Sequence, residues 1–77
     1  VALQALAVTI SDDNRARRLL DLSGLSPDDL RSRATHREVL AAVLGFLEAH
    51  EPDLLTVAEA LGRRPEELVA ARSALEA

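Results

Sequence analysis

The sequence predicts an all-α fold: a compact bundle of five or six short helices that forms a single helical domain over residues 1–77. Three observations predict it. Apolar residues recur every three or four positions along most of the chain, and no useful stretch alternates with period two. Apolar residues make up 48% of the chain and are nearly all Ala, Leu and Val, of which Ala and Leu are strong helix formers. Phe46 is the only aromatic residue, whereas strands favour aromatic side chains.

Three helices are predicted in the first half of the chain. The first has an apolar face at helical spacing, formed by Leu3, Leu6, Ala7 and Ile10. A second helix is predicted after the capping oxygens of Ser11, Asp12 and Asp13, and it ends at Gly24, where a left-handed residue belongs. Ser26 as N-cap and Pro27 as the first helical residue predict a third, short helix.

Three more helices are predicted in the second half. Thr35 and Glu38 have the spacing of a capping box, Thr at the N-cap and Glu three residues later. The fourth helix that follows is the best candidate for the buried centre of the fold, with an apolar stripe of Val39, Leu40, Val43, Leu44 and Leu47, widened by Phe46. Pro52 and Pro65 are expected to open the fifth and sixth helices, and Gly62 to end the fifth.

One heptapeptide pattern occurs twice in the chain. Residues 24–30 and 62–68 both read Gly-x-x-Pro-acid-acid-Leu, and their prolines are 38 residues apart. Two interpretations stay open: an internal repeat of three-helix halves, 1–38 and 39–77, or a common helix connector used twice. An internal repeat predicts that helices one and four occupy equivalent places and that Leu30 and Leu68 are both buried.

The residues that commonly carry catalysis do not cluster in this sequence. The absence of cysteine excludes disulfides, thiolate nucleophiles and cysteine-ligated zinc. His36 and His50 are separated by about 14 helical residues, or ~21 Å, too far to share a metal ion. The paired acids lie at predicted helix starts, where capping explains them. We therefore expect no catalytic residue, no metal and no cofactor, and hence no enzymatic activity.

The overall charge constrains the partners and the location. A net charge of −4 and a pI near 5.0 disfavour non-specific binding to nucleic acid or to an anionic membrane. No apolar stretch reaches the ~20 residues that a membrane span needs, and the N-terminal residues lack the pattern of a secretory signal. Together with the lack of cysteine, this predicts a cytoplasmic protein without a membrane partner.

A non-enzymatic protein-interaction module is therefore the leading functional hypothesis, with a protein partner whose identity the sequence does not reveal. Five arginines make the middle of the chain locally basic and are the candidate partner surface: Arg15, Arg17, Arg18, Arg31 and Arg33. A homodimer through an Ala/Leu face is a further expectation, because Leu55 and Val69 fall off the apolar stripes of their helices.

The alternative is a helix-turn-helix domain that binds nucleic acid through residues 54–75. The spacing of a helix-turn-helix motif is present in Ala58, Gly62 and Leu68. The first is the small residue where the two helices cross, the second permits the turn, and the third packs the second helix against the first. The candidate contacts are Arg63, Arg64 and Arg72. Against this hypothesis, the first turn of the sixth helix contains Glu66 and Glu67, two carboxylates that would face a polyanion.

The segment Ser23-Gly24-Leu25-Ser26-Pro27-Asp28-Asp29-Leu30-Arg31, together with Ser11-Asp12 before it and residues 40–47 after it, resembles domain-of-unknown-function family 3572, which comprises small bacterial proteins without assigned activity. The resemblance covers nearly the whole chain. It implies a compact helical fold and a bacterial cytoplasmic protein, and it transfers no catalytic residue. The sequence departs from the family pattern at Asp13, where proline is common, and at Leu19, where an aromatic residue is common.

Overall fold

The computed structural model describes all 77 residues and contains six helices and no strand, which confirms the all-α prediction. The helices are α1 (Ala2–Ile10), α2 (Asp13–Ser23), α3 (Pro27–Ser32), α4 (Arg37–Ala49), α5 (Glu51–Leu61) and α6 (Pro65–Glu76). None of them has the length and apolar character that crossing a bilayer requires.

The predicted N-terminal caps of α2 and α3 are present. Asp12 caps α2, and its Oδ1 accepts the backbone N–H groups of Asn14 and Arg15 at 2.8 and 3.1 Å. At α3, Ser26 Oγ accepts the Asp29 N–H at 3.1 Å while the Asp29 carboxylate accepts the Ser26 N–H at 3.0 Å. This reciprocal pair satisfies two donors that the first turn of a helix leaves unpaired.

The predicted capping box at Thr35 and Glu38 is wrong. The N-cap of α4 is His36, and no side chain accepts a hydrogen bond there. The turn before α4 extends to His36, whose N–H donates to the Arg33 carbonyl at 2.9 Å. Glu38 is then the second residue of the helix, one position too early to reach back to the cap, and its carboxylate lies 3.3 Å from the Arg33 guanidinium.

Helix α4 lies at the centre of the core, as its apolar stripe predicts, and packs against α1, α2, α5 and α6. It supplies five of the 13 buried residues: Val39, Val43, Leu44, Phe46 and Leu47. The buried polar residue is Thr9, whose hydroxyl donates to the Ala5 carbonyl at 2.7 Å and so is satisfied. The accessible surface of 4583 Å² agrees with the ~4600 Å² expected for a compact 8.3 kDa monomer.

The two halves differ at their third helix. Leu68 of α6 is completely buried, whereas Leu30 of α3 is half-buried, so the expectation that both are buried holds for Leu68 only. Helix α3 has six residues and none of them is buried, whereas α6 has 12 and packs along α4. A true duplication of residues 1–38 and 39–77 stays a prediction.

Candidate functional site

The five arginines predicted as a partner surface lie mostly in intramolecular ion pairs. Arg15 points inward, and its guanidinium donates to the Val8 carbonyl at 3.0 Å, next to the C-terminal end of α1. Arg18 reaches across to α5 and contacts both carboxylate oxygens of Asp53, at 2.7 and 2.8 Å. These two side chains therefore fasten α2 to its neighbours, and 47% of the Arg18 side chain stays exposed.

The two arginines that follow α2 are also paired. Arg31 contacts Asp28 at 2.6 Å, and Arg33 lies 3.7 Å from Asp29 and 3.3 Å from Glu38. Of the five candidates, Arg17 alone forms no ion pair and is fully available on the surface of α2. No hydrogen bond or ion pair joins the arginines of α2 to those of α3.

The three arginines of the nucleic-acid alternative are engaged as well. Arg63 and Arg64 both approach the Glu67 carboxylate, at 3.5 and 4.0 Å. Arg72 lies between α4 and α6, where its Nε pairs with Glu48 and its Nη1 contacts Oε1 of Glu76 at 3.3 Å. The exposed positions of α6 contain no cation: Glu66, Val69, Ala70, Ser73, Ala74 and Glu76.

The two histidines lie at opposite ends of α4. His36 precedes the helix, and His50 follows it with its ring stacked on Phe46 at a centroid distance of 4.6 Å. The Nδ1 of His50 lies 2.9 Å from the Phe46 carbonyl oxygen, so the ring satisfies a carbonyl at the helix end. No cluster of three or more His, Cys, Asp or Glu residues is placed to hold a metal ion.

A groove lies over the outward face of α4, between α2 and α6, and sequence reasoning missed it. Its floor is the strip of Ala42, Gly45 and Ala49, which follow one another at helical spacing and include no large side chain. On the α6 side lies a hollow of about 640 Å³, and on the α2 side one of about 260 Å³. Ala42 and Gly45 line both hollows, so the two form one continuous groove across α4, here called the α4 groove.

The walls of the α4 groove come from two helices that run antiparallel to α4. On one side, Arg72 faces Gly45 and Glu48, and Leu75 and Glu76 lie closer to the start of α4. On the other side, Leu22 projects from the end of α2 with 61% of its surface exposed, the largest fraction of any large apolar residue. The floor and one wall are thus apolar and open to solvent.

Charged residues of both signs line the two ends of the α4 groove, and at each end one of them has no ion-pair partner in the chain. At the start of α4, Arg37 lines the groove and forms no ion pair. At the far end a third hollow shares Ala49 and His50 with the groove and is lined by Glu51, which also forms no ion pair. The sequence signal for this face was the run of small residues Ala41, Gly45 and Ala49, one helical turn apart.

The carboxyl groups with shifted pKa values report helix capping. The pKa of Asp12 is lowered, chiefly because the Arg15 backbone N–H stabilises the carboxylate. The pKa of Asp29 is lowered chiefly by the Ser26 backbone N–H. Neither residue lines the α4 groove, so these shifts belong to the architecture and not to the site.

Comparison with known proteins bears on the family and not on the chemistry. No curated protein and no solved structure matches the chain. A family model does match, and it spans every residue from 1 to 77. The chain belongs to the family described as protein of unknown function DUF3572.

Proposed function

We propose that the protein is a small, non-enzymatic protein-interaction module of the bacterial cytoplasm, and that the α4 groove is its binding surface. The observation that supports this most is the groove itself, an open channel floored by methyl groups and Gly45 and bordered by the exposed Leu22. Binding surfaces that receive a helix have this character, because small side chains on the floor let the two backbones approach closely.

The polar groups of the groove support binding more than catalysis. A general acid or base must face its substrate and exchange a proton with it. Arg72 is instead paired with Glu48 and Glu76, and His50 is stacked on Phe46 and bonded to its carbonyl. Between the charged residues at the start of α4 and His50 at its end, the floor of the groove is formed by alanines and Gly45, which have no group for acid–base chemistry.

A capture experiment with matched variants tests the proposed function. Gly45→Leu adds a large side chain to the groove floor, where a Cβ meets nothing closer than Arg72 at 3.8 Å. Ala60→Leu makes a comparable change on the exposed surface of α5, outside the groove. We expect proteins captured from a cell extract and identified by mass spectrometry to be lost with Gly45→Leu and retained with Ala60→Leu. Equal capture by both variants, with both folded, contradicts a role for the groove.

The helix-turn-helix alternative has one structural observation in its favour. Ala58 and Leu68 are buried and Gly62 is left-handed, as the spacing of such a motif requires. Against it, Arg63 and Arg64 share Glu67, and Arg72 is held between two helices. We expect no binding to a labelled DNA duplex by fluorescence anisotropy at low salt. Binding that weakens when Arg63 and Arg64 are replaced by alanine would favour the alternative.

A further inference from the structure

Gly45 occupies a position where nothing within the chain requires glycine. It lies in the middle of α4 with an ordinary negative φ, unlike Gly24 and Gly62. A Cβ added there would meet only the Arg72 side chain, at 3.8 Å, which is ordinary van der Waals contact. Glycine in a helix interior costs about 1 kcal/mol relative to alanine. The position is therefore explained better by something that approaches α4 from outside.

We propose that this occupant is a second copy of the chain, bound across a twofold axis that passes near Gly45 so that the two α4 helices cross antiparallel. The proposal rests on the proposed function and assigns its partner. Ala41 and Ala49 lie one turn before and after Gly45, so that two such faces can approach closely at the crossing.

The unpaired charges at the ends of the groove are complementary under this symmetry. Arg37 lies eight residues before Gly45, about 12 Å along the axis of α4, and Glu51 is the first residue of α5, just beyond the other end of α4. A twofold axis at Gly45 therefore brings Arg37 of each copy to the end where Glu51 of the other copy lies. The dimer gains two such ion pairs, because an isologous interface makes every contact twice.

The apolar surface beside Gly45 is also self-complementary. Leu22 is 61% exposed, and it borders the hollow formed by Ala42, Phe46 and Ala49. A twofold contact places the same patch of both copies face to face. The projecting Leu22 of each copy can then enter the hollow of the other copy. An unrelated partner helix has no such reason to match both the hollow and the two charges.

Sedimentation equilibrium on the purified chain tests the dimer, over concentrations from about 1 µM to about 1 mM. We expect the mass to rise from 8.3 kDa toward twice that value. Arg37→Glu and Glu51→Arg should each weaken dimerisation about tenfold, because two exposed pairs are lost and like charges meet. The double variant Arg37→Glu with Glu51→Arg should restore it.

Arg17→Glu is the matched control, because Arg17 is also unpaired but lies on α2 outside the groove and should leave the mass curve unchanged. Gly45→Leu should abolish the dimer while circular dichroism shows a folded helical chain. A chain that is monomeric throughout overturns the dimer. If its groove-dependent capture of another protein persists, the proposed function stands without it. A dimer insensitive to both Arg37→Glu and Gly45→Leu overturns the assignment of the interface to α4.

Discussion

The two segments that share the Gly-x-x-Pro-acid-acid-Leu pattern, residues 24–30 and residues 62–68, end their preceding helices in different ways. Here they are called the first and the second connector. Both glycines are left-handed, with φ of 77° at Gly24 and 67° at Gly62. In the second connector the N–H groups of Gly62 and Arg63 donate to the carbonyls of Glu59 and Ala58, at 3.0 and 2.9 Å. In the first connector those two bonds are absent, and the Leu25 N–H donates to Ser23 Oγ at 3.2 Å.

The starts of the following helices show the opposite difference. In the first connector, Ser26 and Asp29 form a reciprocal cap. In the second, Arg64 is the N-cap and no side chain accepts a hydrogen bond there. The acid that corresponds to Asp29 is Glu67, and its carboxylate accepts from the Arg63 side chain at 3.5 Å instead.

This difference follows from what holds each helix in place. A short isolated helix is marginal in water, so α3, with six residues and none buried, depends on its local cap. Helix α6 is anchored by the fully buried Leu68 and by its packing on α4, so it forms without a side-chain cap. The same sequence pattern is thus stabilised by hydrogen bonds at one site and by burial at the other.

The largest expected effect comes from the two leucines that close the pattern. Leu68→Ala should lower the free energy of unfolding by about 3 kcal/mol, because it removes a completely buried side chain. Leu30→Ala should lower it by about 1 kcal/mol, because Leu30 is only half-buried. Urea denaturation followed by circular dichroism measures both. Equal losses would mean that the two connectors are packed alike and would favour a duplicated architecture.

The sequence predicts well those features that depend on neighbouring residues. The left-handed glycines, the Ser26 cap and the start of α3 at Pro27 all follow from the chemistry of a few adjacent positions. The start of α4 was missed because Arg33, just before it, takes the Glu38 carboxylate and the turn continues to His36. The half-exposure of Leu30 was missed because α3 stops after six residues, before it can pack along a partner helix.

The candidate site was less predictable because it depends on contacts between distant residues. Arg18 looked free, yet its carboxylate partner Asp53 is 35 residues away in the sequence. The α4 groove exists because α2 and α6 lie on either side of α4, an arrangement that periodicity does not reveal. The spacing of the small residues Ala41, Gly45 and Ala49 can be read from the sequence, but how far each is exposed depends on where α2 and α6 pack.

A smaller difference is expected between the two left-handed glycines. A Cβ added at either glycine would meet no other group within 4 Å. The cost of an alanine substitution is therefore conformational at both positions. Gly62→Ala should lower the free energy of unfolding by about 2 kcal/mol, because relaxing the backbone would also weaken the bonds to Ala58 and Glu59. Gly24→Ala should cost about 1 kcal/mol, since no such bonds form there. Thermal denaturation compares the two, and a larger loss at Gly24 would contradict the assigned difference in helix ends.

Exchanging the cap residues sharpens the comparison further. Ser26→Ala should lower the free energy of unfolding by about 1 kcal/mol, because it removes the acceptor for the Asp29 N–H. Arg64→Ser should raise it by about 0.5 kcal/mol, because it places a capping hydroxyl before α6 with Glu67 at the position of a capping box. The lost contact between Arg64 and Glu67, at 4.0 Å and exposed, contributes little. If Arg64→Ser does not raise the free energy of unfolding, the missing side-chain cap does not destabilise α6.

The smallest effect is the pH dependence that the first connector adds to folding. The Ser26 backbone N–H, and more weakly the nearby Arg33, lower the pKa of Asp29 from its ordinary value near 3.8. A lowered pKa in the folded state means that the carboxylate stabilises the fold fully above about pH 3.8. That contribution is lost as the pH falls through the lowered value. Asp29→Asn should therefore be less stable than the parent chain at neutral pH, and the difference should shrink in acid.

Asp12→Asn at α2 should behave in the same way, because the Arg15 backbone N–H lowers the pKa of Asp12 in the same sense. Urea titrations at several pH values measure the difference in the free energy of unfolding between each variant and the parent.

High salt is the control for Asp29→Asn. It screens the charge of Arg33 but leaves the backbone hydrogen bond of Ser26 to Asp29, so most of the difference in stability should remain. A difference that disappears in high salt at neutral pH would assign the stabilisation to Arg33 and not to the reciprocal cap. The pH dependence would then no longer support the conclusion that hydrogen bonds stabilise the first connector whereas burial stabilises the second.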